Sequence, residues 1–313
     1  MYYSINMETF KIILPCHNEQ ENINVIHKKV CEETKNLDYL FEFTFVDDGS
    51  TDDTWKKIEE LSKNFEHING ISLSRNFGHQ SAIQAGIELS NDDSLIIMDA
   101  DLQDNPKYIK EFIKEWEKGY QVVLAKRIDR DENFFRKIIF SIFFNIQKKL
   151  TDIDIPKDVG HFSLIDKEVI KEIKKFPENF TYFNGLRTYL GFKTAYVDVI
   201  KDKRLYGNAT MTYRKLFSLG LNGIFSFSSK PINFIALLGF TISIGSLLVS
   251  AYSLFHKFRY GTTILGWTFG LSSIYFLSGI QLLSLSIIGQ YVGRIFVDIK
   301  RRPSYIISKT LNT

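Results

Sequence analysis

Two long stretches without a single charged residue constrain this chain more than any other feature. Pro231–Phe255 and Tyr260–Gly293 contain no Asp, Glu, Lys or Arg. Each is longer than the roughly 20 residues that an α-helix needs to cross a bilayer. Between them the only charges are Lys257 and Arg259, beside His256, so the connection is too short to hold a domain. That predicts a helical hairpin with spans near 231–255 and 262–288. Both ends of a hairpin lie on one side. Arg294, Lys300, Arg301, Arg302 and Lys309 follow the second run and outnumber the connection's charges, which by the positive-inside rule puts both ends in the cytoplasm. The expected organisation is a cytoplasmic catalytic domain over 1–229, a transmembrane hairpin over 230–293 and a basic cytoplasmic tail over 294–313, as a multi-pass protein of the cell membrane.

The N-terminus, MYYSINMETFKIILP, lacks the basic region and long apolar core of a signal peptide, so the first domain is expected to stay cytosolic. Net charge is only +3, too weak for a nucleic-acid partner, although local Lys and Arg clusters suit phosphate or an anionic membrane surface. Cys16 and Cys31 are the only cysteines and follow no metal spacing, which fits a reducing compartment.

Before the hairpin, short β-rich runs alternate with amphipathic helical stretches, the rhythm of a parallel sheet. Strands are predicted at Phe10–Pro15, Phe41–Val46, Ile68–Ser74, Ser94–Met98 and Gln121–Ala125. Helices are predicted over Asn22–Thr34, Asp53–Lys63, Gln80–Leu89 and Pro106–Lys118, with Thr51, Asp52 and Asn105 as caps. No GxGxxG follows the first strand, which argues against a dinucleotide-binding fold.

Ligands of open α/β sheets sit at the carboxyl ends of the strands, and there the acidic residues gather. Asp47 and Asp48 end the second strand in VDDGSTDDT, and Asp99 and Asp101 end the fourth in MDADLQD. Either pair alone would suit a turn or a helix cap. Both at strand ends point instead to a divalent cation. Hard oxygen ligands favour Mg²⁺ or Mn²⁺, and a nucleotide diphosphate would complete the coordination.

These segments resemble the GT-A glycosyltransferases of family 2, and within them the polyprenyl-phosphate glycosyltransferases related to dolichol-phosphate mannose synthase and the bactoprenol glucosyltransferases. LPCHNEQENI (Leu14–Ile23) resembles the opening P-x-x-N-E-x-x-N-I, VDDGSTDDT resembles D-D-G-S-x-D-x-T, and DADLQDNP (Asp99–Pro106) is similar to D-A-D-L-Q-D-P-P. LSRNFGHQSAIQAG, DVGHFSL, Arg204–Ile232 and the closing GQYVGRIFVDIKRRPSY extend the resemblance nearly end to end. The fold class it implies is α/β, a GT-A nucleotide-sugar-binding domain with a mostly parallel sheet, followed by the two-helix hairpin. The resemblance implies that Pro15, Asn18, Glu19 and the pair Asp47 and Asp48 meet the nucleoside, with Arg75 helping to hold the nucleotide. Asp99, Asp101 and Gln103 would form the metal and diphosphate site, and Asp158 would lie near the reacting sugar. Asn18 and Glu19 also suit a cap of the first helix, and Arg75 and His79 suit solvated loop positions.

The chain departs from this pattern at Gly207–Thr210, where Ala209 and Thr210 stand in place of the usual Ser and Lys, and at NGLRTYLGF (Asn184–Phe192). The Q-x-x-R-W motif of processive synthases is absent, which favours a single addition. A lipid acceptor has to be met at the membrane. The aromatic-rich stretch 132–150, flanked by Arg136, Lys137, Lys148 and Lys149, reads as an interfacial helix, with a second expected at 213–228. Arg127 and Arg130, with Arg204, are assigned to the acceptor phosphate, because guanidinium groups bind phosphate in a bidentate way.

The expected reaction is thus an inverting, metal-dependent transfer of one hexose from a UDP- or GDP-linked sugar to a polyprenyl phosphate. A homo-oligomer is left open. Two other readings are a nucleotidyltransferase, for which no glycine-rich triphosphate loop is found, and a non-enzymatic sugar-nucleotide sensor or scaffold, against which the intact Asp99, Asp101 and Gln103 argue.

Overall fold

A computed structural model of the chain describes residues 8–91, 93–128, 156, 158–176, 183–202, 230–260, 267–300 and 302–312. Among them, five strands and four helices fall where the sequence predicts. The strands are β1 (Thr9–Cys16), β2 (Leu40–Asp47), β3 (Ile68–Leu73), β4 (Ser94–Ile97) and β5 (Val122–Arg127). The helices are α1 (Ile23–Thr34), α2 (Thr54–Asn64), α3 (His79–Glu88) and α4 (Ile109–Glu117), the last entered through a short 3₁₀ turn at Pro106–Tyr108. Asn105 caps that turn as expected, accepting from the Lys107 amide at 3.1 Å. Thr51 caps nothing in this way: α2 starts beyond Asp53, and it is Asp52 that accepts from the Thr54 amide at 3.0 Å.

The described chain adds β6 (Val159–Ile165), α5 (Lys167–Ile173), α6 (Phe183–Tyr189), β7 (Thr194–Val199), two long helices α7 (Lys230–Tyr260) and α8 (Trp267–Ile299), and β8 (Ile307–Leu311). The eight strands form one sheet in the order β7-β5-β6-β4-β1-β2-β3-β8. β1 to β4 run parallel, as do β5 and β7, while β6 and β8 run against their neighbours, so the mostly parallel sheet is as predicted. β8 falls within residues expected only as a tail. It is short and carries Lys309, so it has the composition of an edge strand rather than a core one.

The strands read as near-continuous apolar runs because both faces are covered. Phe10, Ile12 and Leu14 of β1 pack with Ile23 and Ile26 of α1, Ile58 of α2 and Phe112 of α4 on one side. Ile13 faces the other way, with Ile83 of α3, Val169 of α5 and Phe183 of α6. This period-two alternation makes a three-layer sandwich.

The long helices form a separate unit. Phe276–Val297 is long and apolar enough to cross a membrane, and none of that stretch is buried. In α7, Phe234, Leu237, Phe240, Leu248, Tyr252 and Phe255 are more than half exposed. A buried soluble helix pair would hide these side chains. α7 continues through His256–Arg259, which the sequence assigned to a connection, since no Gly or Pro lies between Gly245 and Gly261. Arg130, Arg204 and the stretches 132–150 and 213–228 lie outside the described residues.

Candidate active site

The strand order turns back between β1 and β4: β2 and β3 follow β1 to one side, β4 lies on the other. At such a switch point the loops leaving neighbouring strands part and open a crevice beyond their carboxyl ends. Every motif singled out in the first hundred residues leaves a strand there.

The β1 and β2 loops are tied together. Pro15 is buried and pairs with Val46 across the two strands. Asn18 has a left-handed backbone, φ 58°. Its amide donates to Ser50 Oγ at 2.9 Å and its Oδ1 accepts from the Thr51 amide at 2.8 Å. Asn18 therefore braces the second loop and does not cap α1. Glu19 lies at that helix entrance, accepting from Asn22 Nδ2, while its amide donates to Thr54 Oγ1 at 2.9 Å.

Asp47 and Asp48 are both buried and divide the work. Asp47 accepts from the Ser50 amide at 3.0 Å and from Ser72 Oγ at 3.2 Å, closing its own turn onto β3. Asp48 accepts from the Phe77 amide at 2.7 Å and the Gly78 amide at 2.9 Å, which fixes the loop that carries Arg75. Burial raises the Asp48 pKa despite those two donors. Gly49, at φ 61°, lets the Arg75–Asn76 backbone lie directly against it. Arg75 itself is exposed, with its guanidinium carbon 4.0 Å from the centre of the Phe77 ring.

Beyond β4, Asp99 accepts from His79 Nε2 at 2.8 Å. Partial burial of the ring works against protonation of His79, but the charge of Asp99 and this hydrogen bond raise its pKa. Burial would raise Asp99, yet His79 holds its carboxyl well below the usual carboxylate range. Asp101 is buried and accepts from the Gln103 amide at 3.1 Å, across Leu102 at φ 62°. Asp104 is buried as well, and its pKa is pushed up to about 6, first by burial and then by the charge of Asp99. Lys201, just past β7, lies 3.3 Å from Asp104 and 3.5 Å from Gln103 Oε1. Asp99, Asp101 and Asp48 all act on His79, and the charges of Asp99 and Asp101 raise the cost of ionising Asp104, so these carboxylates share one neighbourhood. This gathering of hard oxygen donors fits a divalent cation.

The opposite wall comes from β5 and β6. Asp158 has φ 63°, and its carbonyl accepts from the Arg127 amide at 2.9 Å. The Arg127 guanidinium packs over Gly160, where an added Cβ would lie 3.1 Å from Nη2. Arg187 is buried beneath, donating to Ser163 Oγ at 2.7 Å, Gly160 O at 3.0 Å and Asn184 Oδ1 at 3.0 Å. The His161 ring lies 4.8 Å from that of His79, and burial together with the charge of His79 lowers its pKa to about 3.

His79, His161, Asp104 and Lys201 are the neighbours that sequence reasoning did not assign. Lys201 sits in a run of charges that reads as solvated, and the two histidines are far apart in the chain. Asp104, His79 and His161 lie inside the segments DADLQD, LSRNFGHQSAIQAG and DVGHFSL that carry the resemblance, but nothing in those segments brings the three together.

A sequence model described as Glycosyl transferase family 2 matches residues 11–174. The uncharacterized glycosyltransferase YkcC of Bacillus subtilis is 36% identical over 302 residues, spanning 96% of this chain and 94% of that protein. The bactoprenol glucosyl transferase of Shigella phage SfII is 33% identical over 300 residues, spanning 96% and 97%. Among solved structures, glucosyl-3-phosphoglycerate synthase from Mycobacterium tuberculosis, in complex with Mn²⁺, UDP-glucose and phosphoglyceric acid, superposes with a TM-score of 0.50. It shares 15% identity, over 70% of this chain and 78% of that one, and the likeness extends to the fold alone.

Proposed function

The chain belongs to glycosyl transferase family 2 and is a glycosyltransferase, and on that premise we propose that it moves one hexose from a UDP- or GDP-linked sugar onto a polyprenyl phosphate at the cytoplasmic face of a membrane. The observation that carries the donor half is the cluster of Asp48, Asp99, Asp101 and Asp104 at the sheet's switch point, where a nucleotide diphosphate and its cation belong. A bound Mg²⁺ or Mn²⁺, held by Asp99, Asp101 and Gln103, would neutralise charge on the departing diphosphate. The Asn18 and Asp48 loops line the nucleoside side together with Pro15, Glu19 and Asp47, and Arg75 is the exposed cation beside them.

The bactoprenol relatives support a lipid acceptor. An acceptor phosphate oxygen attacks the anomeric carbon while the bond from that carbon to the diphosphate oxygen breaks. The bonding pair leaves with the nucleotide diphosphate, and the configuration inverts. A phosphate monoester has its second pKa near about 6, so its oxygen is already anionic at neutral pH and no base has to remove a proton. Arg127, with Arg130 and Arg204, is assigned to hold that phosphate against the repulsion of the diphosphate. Asp158, whose carbonyl is bound to the Arg127 amide, is assigned to position the sugar.

The membrane half is supported by the last strand. β8 pairs with β3, so the chain that leaves the sheet before α7 returns to it after α8. If Phe276–Val297 crosses the bilayer, a second crossing is required to bring β8 back, and α7 is the segment available. A two-helix hairpin with both ends cytoplasmic satisfies this and agrees with the positive-inside count. The test is to incubate membranes carrying the protein with a panel of radiolabelled nucleotide sugars and extract the lipid. One sugar should label the lipid fraction only when the protein is present, and no labelled lipid with any sugar would refute the proposal.

A further inference from the structure

Well away from the acidic cluster, three ligand-type side chains converge between α1 and the start of β3. His27 and Cys31 are one helical turn apart on α1, an i,i+4 pair that shares a face. His67 immediately precedes β3, and its carbonyl accepts from the Phe43 amide at 2.9 Å. The active-site residues follow the carboxyl ends of the strands, whereas His67 stands at the amino end of β3. The group is therefore separate from the site already described.

His27 Nε2 lies 3.4 Å from His67 Nε2 and 3.3 Å from Cys31 Sγ, and all three ligand atoms fall within 4.8 Å of one another. The two imidazole ring centres are 5.6 Å apart, so the edges that bear Nε2 face each other. A single N–H or lone pair on His27 Nε2 meets both neighbours, at 3.4 Å and 3.3 Å, only as a weak shared hydrogen bond, whereas a cation would engage all three ligand atoms. With Zn–N near 2.0–2.1 Å and Zn–S near 2.3 Å, tetrahedral coordination separates two nitrogens by about 3.4 Å and nitrogen from sulfur by about 3.5 Å. The two short contacts match these edges. The His67–Cys31 pair, within 4.8 Å, would have to close to such an edge on binding.

The surroundings suit such a site. The His27 ring packs at 5.0 Å from Phe43 and 4.9 Å from Phe65, which walls off one side from water. Cys31 and His67 are only partly buried, which leaves the group open to solvent on one side.

We propose that His27, Cys31 and His67 form a zinc site that fastens α1 to the start of β3. Two imidazoles and a thiolate are the nitrogen and sulfur donors that Zn²⁺ prefers, whereas the oxygen-rich active site suits Mg²⁺ or Mn²⁺. The Cys31 thiol releases its proton to solvent as its sulfur binds the cation.

The test uses the full chain in detergent, stripped with a chelator and kept in excess Mg²⁺ so that the carboxylate site is occupied. Titration with Co²⁺ should give, at one equivalent, the strong visible bands of a tetrahedral site and a thiolate-to-metal charge-transfer band, both erased by Zn²⁺. Cys31→Ser should lose the charge-transfer band, Cys16→Ala should keep it, and His67→Gln should weaken binding. Zn²⁺ should raise the melting temperature of the wild type and not that of Cys31→Ser. Absence of tetrahedral bands in the wild type, or a charge-transfer band that survives in Cys31→Ser, would overturn the proposal, and neither outcome depends on sugar transfer.

Discussion

Gly49→Ala offers a test of how the second-strand loop holds the nucleotide side of the site. Gly49 has φ 61°, and forcing an L side chain into that left-handed region costs about 1–2 kcal/mol. A Cβ there would lie 2.3 Å from the Arg75 carbonyl carbon and 2.6 Å from the Asn76 nitrogen, against 3.4 Å for ordinary contact. Both are backbone atoms, so the loop has to retreat by about 1 Å. That loop carries the Phe77 and Gly78 amides bound to Asp48 at 2.7 and 2.9 Å. Breaking one such bond to a buried carboxylate costs about 1.5–3 kcal/mol. The expected outcome is a stability loss of about 3 kcal/mol or more and, because Arg75 and His79 ride on the same loop, a fall in kcat/KM on the order of 100-fold. Gly119→Ala is the control. Gly119 also has positive φ, at 90°, but an added Cβ meets nothing within 4 Å, so it should lose about 1 kcal/mol of stability and no transfer activity. Denaturant unfolding and initial rates of sugar transfer are the assays. Wild-type stability and rate in Gly49→Ala, or equal losses in the two variants, would refute the reasoning.

Three further outcomes are expected. Asp101→Asn should abolish transfer while circular dichroism and membrane insertion stay unchanged, because a neutral amide weakens the cation site; metal-dependent turnover near the wild-type rate would contradict this. His161 is depressed from 6.5 to about 3, so the stability it contributes is present above about pH 6.5 and is lost as pH falls toward 3. Unfolding of His161→Gln followed from pH 7.5 to 5 should therefore show a shallower acid slope than the wild type, by at most about 1.4 kcal/mol per pH unit. Protease added outside sealed spheroplasts should cut only between His256 and Trp267, and cleavage within the catalytic domain would contradict the hairpin.

The elements legible in the sequence are those whose cause is local. Short β-rich apolar runs and helical spacing mark β1 to β5 and α1 to α4 close to their observed bounds, and the acidic pairs mark the strand ends. What stayed hidden depends on partners distant in the chain. β6 is a strand because it pairs antiparallel with β4 and β5, far from it in the chain, and β8 is a strand only because β3 offers it an edge. Asp47 and Asp48 look equivalent as neighbours in the sequence, yet one closes its own turn and the other holds a loop around thirty residues away. His79 read as a solvated loop residue because nothing beside it in the chain discloses Asp99, its hydrogen-bond partner.

The claim that matters most is the phosphate acceptor, and a direct comparison of acceptors tests it. Purified protein in detergent, with Mn²⁺ and the labelled nucleotide sugar that gives signal, should be offered a polyprenyl phosphate or the matching polyprenol. A phosphate acceptor predicts a labelled phosphodiester of inverted anomeric configuration from the polyprenyl phosphate and none from the alcohol, whose hydroxyl would need a base to remove its proton. Equal labelling of both lipids, or product from the alcohol alone, would contradict it.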